Sequence, residues 1–512
     1  MSYPTVKKIA LYCVGALTGI GLSVSLQAHA NQASDTNLPV QDLRTFAEVY
    51  GRIKAEYVEE KPDSKLIEDA IKGMASSLDP HSEYMDTKGY LDLQENTSGE
   101  FGGLGLEVGA ENGLVRVISP IEGAPAEKAG IKSGDLIVKI DDTNVQGLSL
   151  SEAVKLMRGK PGTKIKLTLS RTDYQQPLVI ELTRAIIKTQ SVRSKLLESG
   201  YGYVRIAQFQ DPTTANLVAA LNSLRTENKG PLKGLVLDLR DDPGGILNGA
   251  VGVSAVFLPQ DALVVSTKGR GEEVKMTLKA RPQDYLSQAS QKDPLVGLPA
   301  EAKDMPIVVL TNSGTASASE IVAGALQDHK RAVIVGTQSF GKGSVQTVLP
   351  LSNGGGLKIT TALYYTPNNH SIQARGIVPD VLVKDKDRLL EMREADLTGH
   401  ISNPNGDTEV KGKLSLSDEE RAELEKKKAD LEAEAKKAEA EKTAAAEKNA
   451  KPATKTPDVD PRDPNPSKDA QLARAIDLIK DPEQWQKSIG LALNKPGKDD
   501  LKKAKDKEKA KK

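Results

Sequence analysis

The sequence predicts an α/β fold, because strand-like and helical patterns alternate over residues 188–383. Such alternation is typical of a layered core that contains parallel strand pairs. Two further observations extend this prediction. Residues 99–187 carry short β-like runs separated by turn residues, which indicates a small, separate β-rich domain. Residues 37–98 carry apolar side chains at helical spacing, which indicates a helical N-terminal segment.

The composition of the 512-residue chain is that of a globular protein, with about two to four domains. Its 70 basic residues balance 70 acidic ones and aromatic residues make up 4%, so the basic excess and the stacking surfaces of a nucleic-acid binder are both missing. The single cysteine excludes an intrachain disulfide, and the five histidines form no His-x-x-x-His pair. We therefore expect no nucleic-acid partner, no metal and no cofactor.

Residues 1–30 have the pattern of a signal peptide. Lys7 and Lys8 precede an uncharged apolar run at 9–26, and Ala28-His29-Ala30 provides a small-residue cleavage site. The run is long for a signal peptide, so an uncleaved membrane anchor remains an alternative. We expect an exported protein in the periplasm, with association to the inner membrane left open.

The N-terminal segment, 37–98, is predicted to form helices on both sides of a turn at 61–64. The first helix is indicated by apolar residues at helical spacing, namely Leu43, Phe46, Val49, Tyr50 and Ile53. The second is indicated by Leu66, Ile67, Ala70, Ile71 and Met74. We expect it to end before Pro80, because the residue that precedes a proline is disfavoured in a helix.

The β-rich domain, 99–187, and the core, 188–383, are predicted element by element. The domain is expected to have strands at 114–118, 136–140, 164–170 and 178–183, and helices at 124–129 and 151–157. The core is expected to have strands at 202–208, 234–239, 306–311 and 332–336, and helices at 213–224 and 317–328. The runs 357–365 and 377–383 are expected to be edge strands.

The chain becomes charged beyond the core. Residues 384–468 are expected to form a charged arm and linker, because their apolar content is low. Residues 469–495 regain an amphipathic pattern and predict a C-terminal helix that returns to the core. Residues 496–512 form a lysine-rich tail, which we expect to be disordered.

A glycine-rich loop, Phe101-Gly102-Gly103-Leu104-Gly105-Leu106, opens the β-rich domain and runs into a strand. Such a loop can present backbone N–H groups to an anion, here the carboxylate at the end of a chain. Together with Gly-Ala-Pro-Ala at 123–126 and Gly-Asp-Leu-Ile at 134–137, the region resembles a bacterial PDZ domain. The resemblance implies that Leu104, Gly105 and Leu106 bind the tails of protein substrates.

A small-residue turn at 312–317 joins a predicted strand to a predicted helix. A turn of this kind can expose a hydroxyl, and the helix N-terminus supplies N–H groups and a positive partial charge for a developing oxyanion. Ser317 is therefore a candidate nucleophile, and Ser319 competes with it. From the local sequence alone, a serine that caps an ordinary helix is the simpler interpretation.

A serine nucleophile also needs a base. His329 follows Ser317 on the same predicted helix at a distance of about 18 Å, which is too far for a hydrogen bond. Distance does not exclude His81 and His370, but neither lies in a Ser-His-Asp motif. Lys342 stands between two glycines after an apolar strand. It can act as a base if burial lowers its pKa towards neutrality; the alternative is an exposed loop lysine.

Several spaced motifs follow one another between residues 238 and 380. They are Asp238-Leu239-Arg240 with Pro243-Gly244-Gly245, Ser-Ala-Ser-Glu-Ile at 317–321, Phe340-Gly341-Lys342-Gly343 with Gln346, Tyr365-Thr366-Pro367, and Gly376-Ile377 with Pro379-Asp380. Together they resemble the C-terminal processing peptidases, also called tail-specific proteases, over about residues 80–383. The resemblance implies an α/β, mixed-sheet protease core of spiral β-β-α character, with an inserted PDZ domain and a helical N-terminal segment.

Carried over position by position, the resemblance makes Ser317 the nucleophile, Lys342 the general base and Gln346 the residue that orients the lysine. If 342–346 is helical, Lys342 and Gln346 share one helix face. The resemblance also implies an oxyanion hole made by the N–H of Ala318 and one N–H of the Gly244-Gly245 turn. The chain departs from the family beside these motifs, with Asp241-Asp242 in place of frequent asparagines and with Asn368-Asn369-His370 in place of a glycine-containing turn.

The function implied by the resemblance is that of an exported serine endopeptidase, which captures the C-terminal tail of a protein substrate and cuts it with a Ser-Lys dyad. Arg158, at the end of the second PDZ helix, matches a position implicated in coupling that domain to the protease site; a solvated surface arginine is the alternative. We expect the chain to form homo-oligomers, and an adaptor protein is left open as a partner. A catalytically inactive PDZ scaffold is disfavoured, because Ser317, Lys342 and Gln346 are all intact.

Overall fold

The computed structural model describes residues 39–111, 113–121, 123–171, 174, 176–272, 275–287, 292–385, 388, 390–415 and 464–491. The predicted signal peptide and lysine-rich tail lie outside these residues, as does most of the charged arm. None of the helices within these described ranges is long and apolar enough to span a membrane.

The chain divides into two compact units, Met1–Gly73 and Met74–Lys512. In the first unit, α1 (Val40–Glu56) is followed by α2 (Asp63–Ser76), which ends in the second unit. Both helices were predicted. No residue of α1 is buried, and its apolar side chains Leu43, Phe46, Val49 and Ile53 are 43–50% exposed.

The second unit opens with β1 (Glu83–Met85) and α3 (Thr87–Ser98). The prediction of helices alone over 37–98 is therefore wrong at β1, which is too short to show a pattern in the sequence. The Asp86 side chain accepts the Gly89 N–H at 2.7 Å and so caps the start of α3. The helix ends at Gly99, whose φ of +70° is favourable for glycine.

The β-rich domain is an antiparallel sheet with two short helices. Its elements are β2 (Glu100–Gly103), β3 (Leu106–Glu111), β4 (Leu114–Pro120), α4 (Pro125–Lys128), β5 (Leu136–Ile140), β6 (Thr143–Asn144), α5 (Leu150–Met157), β7 (Lys164–Ser170), β8 (Leu178–Thr183) and β9 (Ala185–Lys188). The sheet order is β3-β4-β5-β7-β8, β6 pairs with β5, and β2 pairs with β9. Alternate residues such as Val117, Ile137 and Leu167 are fully buried and form the core of the domain.

The rest of the second unit is built on two sheets. Its helices are α6 (Thr213–Glu227), α7 (Leu247–Phe257), α8 (Pro282–Tyr285) and α9 (Ala318–Asp328). Its strands are β10 (Val192–Glu198), β11 (Tyr201–Ile206), β12 (Gly234–Asp238), β13 (Leu263–Gly269), β14 (Thr277–Lys279), β15 (Ile307–Thr311), β16 (Val333–Gly336), β17 (Ser344–Pro350), β18 (Gly356–Tyr365) and β19 (Val381–Leu382). One sheet has the order β10-β11-β12-β15-β16-β19, and its pairs from β11 onwards are parallel, as predicted.

The parallel sheet is covered on both faces, which explains why every residue of β12, β15 and β16 is buried. Leu235, Leu237 and Ile307 pack into a cluster that includes residues of α6, α7 and α9. Val236 and Val308 point to the other face, where they meet α10 (Ala470–Lys480). α11 (Pro482–Ser488) follows directly. The carboxyl ends of β12 and β15 thus lie side by side, and both lead into the turns described below.

Two features at the end of the core differ from what the sequence predicts. β18 is not an edge strand, because it pairs with β1, β13 and β17 in the second sheet. The predicted charged arm and linker over 384–468 does not account for Arg393, which is 5% exposed, or for Glu394, which is fully buried. Charged residues in a sequence suggest exposure, and the sequence near 394 does not show that Glu394 pairs with the distant His81.

Candidate active site

Ser317 lies between β15 and α9, at the turn where the sequence predicts a nucleophile. Its backbone φ is +56°, an uncommon conformation for a residue with a side chain. The residue is 7% exposed, whereas the following residue, Ala318, is 1% exposed. In the described part of the chain, no group accepts the Ala318 N–H. The turn therefore presents a hydroxyl and a free N–H together at a helix N-terminus.

The Gly244-Gly245 turn, which follows β12, packs directly against Ser317. A Cβ at Gly244 would lie 2.8 Å from Ser317 Cβ and 2.8 Å from the Ala318 nitrogen, so only glycine fits there. The Gly244 N–H donates to Asp242 Oδ1 at 2.8 Å. The Gly245 N–H has no acceptor among the described residues, and Gly245 is exposed. Of this predicted pair, Gly245 is therefore the one with a free donor.

Lys342 lies in the loop between β16 and β17, where it is half-buried. A Cβ at Gly343 would lie 2.4 Å from the Gln373 nitrogen, and Gly341 has a φ of +97°. The Gly341 carbonyl accepts the Ala374 N–H at 2.8 Å. The two glycines thus let the loop pack tightly against residues 373–374, which fixes the backbone of Lys342 on both sides.

Glu320, on the first turn of α9, connects the Ser317 turn to the Lys342 loop. Its Oε2 accepts the Ser317 N–H at 2.8 Å and the Lys342 N–H at 2.9 Å. Its Oε1 accepts the Ser339 hydroxyl at 2.6 Å and the Gly341 N–H at 2.7 Å. Burial raises the pKa of Glu320 to about 7, and these four donors, which favour the ionised form, limit the rise. One fully buried carboxylate thus sets the separation of the two backbone segments.

The electrostatic surroundings of Lys342 favour its neutral form. Burial is the main cause and lowers the pKa of the Lys342 ammonium, with a further lowering from the positive charge of Lys358. The carboxylates of Glu394, Glu320 and Asp79 act in the opposite direction and are outweighed. A lysine with a lowered pKa is chemically able to accept a proton from a neighbouring group.

Gln346 lies on strand β17, so the assumption that 342–346 is helical is wrong. In a strand, residues four apart do not meet as they would across a helical turn. The Gln346 side-chain amide instead donates to Ser344 Oγ at 3.0 Å and to Thr360 Oγ1 at 3.2 Å. The Thr360 hydroxyl donates in turn to Asp79 Oδ1 at 3.0 Å. Gln346 therefore connects β17 to one of the carboxylates that influence Lys342.

Tyr364, on β18, is a site residue that sequence reasoning missed. It is 6% exposed, and its hydroxyl lies beside that of Ser317. Burial raises the pKa of Tyr364 to about 12, and the Ser317 hydroxyl moderates the rise. Tyr364 is therefore a neutral phenol at physiological pH and can act as a hydrogen-bond donor.

The alternative nucleophile and bases are placed elsewhere. Ser319 is fully buried, and its hydroxyl donates to the Asp242 carbonyl at 3.0 Å. His329 is exposed and contacts the Leu263 carbonyl at 2.7 Å, beyond the far end of α9. His370 is exposed as well. His81 Nε2 lies 2.8 Å from the buried Glu394 carboxylate, which occupies that ring nitrogen.

The glycine-rich loop of the β-rich domain has free N–H groups where a carboxylate is expected. Among the described residues, no group accepts the N–H of Leu104 or of Gly105. Gly105 has a φ of +73°, and a Cβ there would lie 2.2 Å from Ala124 Cβ. Leu104 is 3% exposed, and Leu106 packs partly buried against the same apolar cluster. Adjacent free N–H groups beside apolar side chains can hold a chain terminus.

Arg158 follows α5 and faces α3. Its Nη1 lies 3.4 Å from Glu95 Oε2, and its guanidinium lies 4.6 Å from the centre of the Phe101 ring. The Gly159 N–H donates to the Gly102 carbonyl at 3.1 Å. The Arg158 side chain is 38% exposed and at the same time connects the end of α5 to α3 and to β2.

Histidine, cysteine and acidic side chains form no cluster that could hold a metal ion within the described ranges. Two of the residues that the sequence did not single out had a signal in it. Glu320 stands three residues after Ser317, the spacing of a capping box, and Asp242 lies in the motif that contains Gly244. The role of Tyr364 depends on strand pairing across the second sheet, which has no local signal.

Comparisons with known proteins show which families the chain resembles. The model of peptidase family S41 matches residues 200–383, a PDZ domain model matches 116–171, and the N-terminal domain model of the activating protease CtpB matches 16–89. The carboxy-terminal-processing protease of Bartonella bacilliformis is 44% identical over 404 residues, covering 77% of this chain and 88% of that protein. The carboxy-terminal processing protease CtpA of Bacillus subtilis is 36% identical over 369 residues, covering 71% of this chain and 74% of that protein.

The chain also has similarity to solved structures of proteases. The photosystem II D1 C-terminal processing protease is 30% identical and covers 65% of this chain and 85% of its own, with a TM-score of 0.37. The PDZ domain of a carboxy-terminal protease from Vibrio cholerae, in complex with a peptide, is 23% identical. The match covers 18% of this chain and 99% of that domain, with a TM-score of 0.17. Because both scores are low, the assignment depends on the sequence relatives.

The fold and the relatives define a serine-type peptidase with an α/β core and a PDZ domain. The chain belongs to peptidase family S41 and, within it, to the carboxy-terminal processing proteases.

Proposed function

We propose that this protein is an exported serine endopeptidase, which holds the C-terminal tail of a protein substrate in its PDZ domain and cleaves the chain with a Ser317–Lys342 dyad. The observation that carries the proposal is the bridge through Glu320, which holds the backbone of both residues to one carboxylate. The lowered pKa of Lys342 gives the dyad its base.

In this mechanism, neutral Lys342 takes the proton of the Ser317 hydroxyl as its oxygen attacks the scissile carbonyl carbon. The oxyanion of the tetrahedral intermediate accepts hydrogen bonds from the free N–H groups of Ala318 and Gly245. The protonated lysine then gives its proton to the leaving amine, and an acyl-enzyme remains on Ser317. Lys342 then takes a proton from water as the water oxygen attacks the ester carbon, and it returns that proton to Ser317 Oγ as the ester bond breaks and the cleaved chain leaves with a free carboxylate. Gln346 orients the lysine indirectly, through Thr360 and Asp79.

The PDZ domain supplies substrate selection. The free N–H groups of Leu104 and Gly105 bind the terminal carboxylate, and Leu106 lines the pocket of the last side chain. Arg158 couples this event to the protease core, because its contacts with Glu95 and Phe101 join α5 to α3 and β2. Tail binding can shift this arrangement only if it favours one state of these contacts over another.

Residues 1–30 and α1 support the location and the assembly that we propose. The basic and apolar pattern of residues 1–30 supports export to the periplasm, with an inner-membrane anchor if the segment is not cleaved. The row of exposed Leu43, Phe46, Val49 and Ile53 on α1 supports a homo-oligomer, in which a second copy covers this face. An adaptor protein is a further partner that we leave open, because a second copy of the chain is enough to cover this surface.

The experiment that tests the proposal compares the wild type with Ser317→Ala on a panel of proteins that differ in their last residues alone. We expect the wild type to cleave those with apolar, accessible tails, and Ser317→Ala to bind the same tails without cleaving them. Cleavage by Ser317→Ala at the wild-type rate would contradict the proposal.

A further inference from the structure

Asp242 is a fully buried carboxylic acid beside the proposed oxyanion site. Its Oδ1 accepts the Gly244 N–H at 2.8 Å. Its backbone carbonyl accepts the Ala316 N–H at 2.9 Å and the Ser319 hydroxyl at 3.0 Å. A single residue thus holds the Gly244-Gly245 turn and the Ser317 turn against each other.

The second carboxyl oxygen of Asp242 is unusual. Oδ2 is buried and has no hydrogen-bond partner among the described residues. A buried carboxylate without compensating donors is costly when it is ionised and much less so when it is protonated. Consistent with this, burial raises the pKa of Asp242 to about 7, against the weaker effects of the Gly244 N–H and the Ser319 hydroxyl.

The charged groups on the elements around Asp242 do not remove this cost. Arg205, on β11, acts on it through space and lowers the pKa only slightly. Asp238 and Arg240, at the end of β12, form their own ion pair at 2.6 Å. Glu320, on α9, accepts its own four donors. The carboxyl group of the neighbouring Asp241 is exposed and pairs with Arg388.

We propose that Asp242 is a positioning residue that holds the two backbone turns of the oxyanion site together, and that the site works when Asp242 carries a proton. The reason is electrostatic: an ionised carboxylate within one peptide of both turns opposes the negative charge that develops on the oxyanion. The protonated acid keeps the Gly244 contact without adding that charge. This inference depends on the proposed chemistry at Ser317.

The inference predicts an alkaline limb in the pH profile of the wild type. Since Asp242 ionises with a pKa of about 7, the protonated fraction falls about tenfold between pH 6 and pH 8. Asp242→Asn keeps an acceptor for the Gly244 N–H and cannot ionise. We therefore expect the ratio of kcat of Asp242→Asn to kcat of the wild type to be near one at pH 6 and about ten at pH 8.

Stability gives a second readout that does not depend on activity. In the unfolded chain an aspartic acid titrates at a pKa of about 4. Below that pH the residue is protonated in both states. Between about pH 4 and pH 7 the unfolded state releases the proton that the folded state retains, so the wild type loses stability relative to Asp242→Asn; above pH 7 the difference is constant.

The experiment measures kcat at saturating substrate and the Tm from pH 5 to pH 9 for the wild type, Asp242→Asn, Asp242→Ala and Asp241→Asn. Asp241→Asn is the matched control and should follow the wild type in both profiles. Asp242→Ala should lose kcat at every pH, because the Gly244 N–H loses its acceptor. A constant difference in Tm between Asp242→Asn and the wild type, or a constant ratio of kcat, would overturn the inference. If the wild type cleaves no substrate while the Tm difference still grows with pH, the proposed function fails and the titration of Asp242 stands.

Discussion

The Oε2 atom of Glu320 lies 2.9 Å from the backbone nitrogen of Lys342. The same oxygen accepts the Ser317 N–H, so one carboxylate fixes both members of the proposed dyad through their main chains. Both of these contacts use main-chain nitrogens and leave the Ser317 hydroxyl and the Lys342 ammonium out of the bridge.

Replacement of Lys342 should abolish turnover without abolishing substrate capture. Lys342→Ala removes the base, and Lys342→Arg fails as well because an arginine stays protonated. In the wild type, the acidic limb of kcat should rise with pH as Lys342 loses its proton, at a pH below the ordinary value for lysine because burial lowers its pKa. Tail binding by fluorescence anisotropy and proteolysis under saturating substrate check the two effects separately. A Lys342→Ala variant that still cleaves would exclude the dyad.

Glu320→Gln should impair both activity and stability. The amide nitrogen of glutamine cannot accept the hydrogen bonds that one carboxylate oxygen of Glu320 accepts. Each buried N–H that is left without an acceptor costs about 1–3 kcal/mol. A shift of the two turns by about 1 Å would lower kcat by about 10²-fold. Urea denaturation and kcat measure the two losses. Glu301→Gln, which neutralises the largely buried partner of Arg225, is the control and should retain kcat; wild-type kcat in Glu320→Gln would contradict the positioning role.

Arg158→Ala should lower the cleavage of tail-bearing proteins by more than it weakens tail binding. The side chain contacts Glu95 on α3 and Phe101 at the start of the glycine-rich loop. A coupling of about 1–3 kcal/mol corresponds to at least a fivefold loss of kcat. Lys160→Ala, at an exposed neighbouring position, provides the comparison. Equal losses of binding and cleavage, or no loss in either, would mean that the PDZ domain acts as a tether alone.

The helix α10 should contribute to the stability of the core. Leu472 is fully buried against the parallel sheet, and Leu472→Ala should lower the free energy of unfolding by about 2–5 kcal/mol. Asp477, on the exposed face of the same helix, serves as the control, and Asp477→Ala should change it by less than about 0.5 kcal/mol. Urea denaturation gives both values. Equal effects of the two substitutions would show that α10 does not pack as described.

The α/β class and the parallel sheet could be predicted, because the pattern of apolar residues within single segments indicates each strand and helix. β12, β15 and β16 read as apolar runs, since both of their faces are covered. The central place of β18 could not be predicted, because its partners β1, β13 and β17 lie far apart in the sequence.

The same distinction applies to the site. Ser317 and Lys342 were singled out by local motifs and a family resemblance, and their roles stay predictions. The strand conformation of Gln346 and the placement of Tyr364 beside Ser317 depend on sheet pairing, which no local motif encodes. The burial of Glu394 could not be predicted, because composition shows its charge but does not show that His81 pairs with it.

The most direct test of the account is the covalent labelling of the nucleophile. A fluorophosphonate reacts with an activated serine, and peptide mapping by mass spectrometry locates the adduct. The account predicts an adduct on Ser317 in the wild type and its loss in Lys342→Ala, with the protein still folded. An adduct on Ser319, or undiminished labelling of Ser317 in Lys342→Ala, would contradict the Ser317–Lys342 dyad.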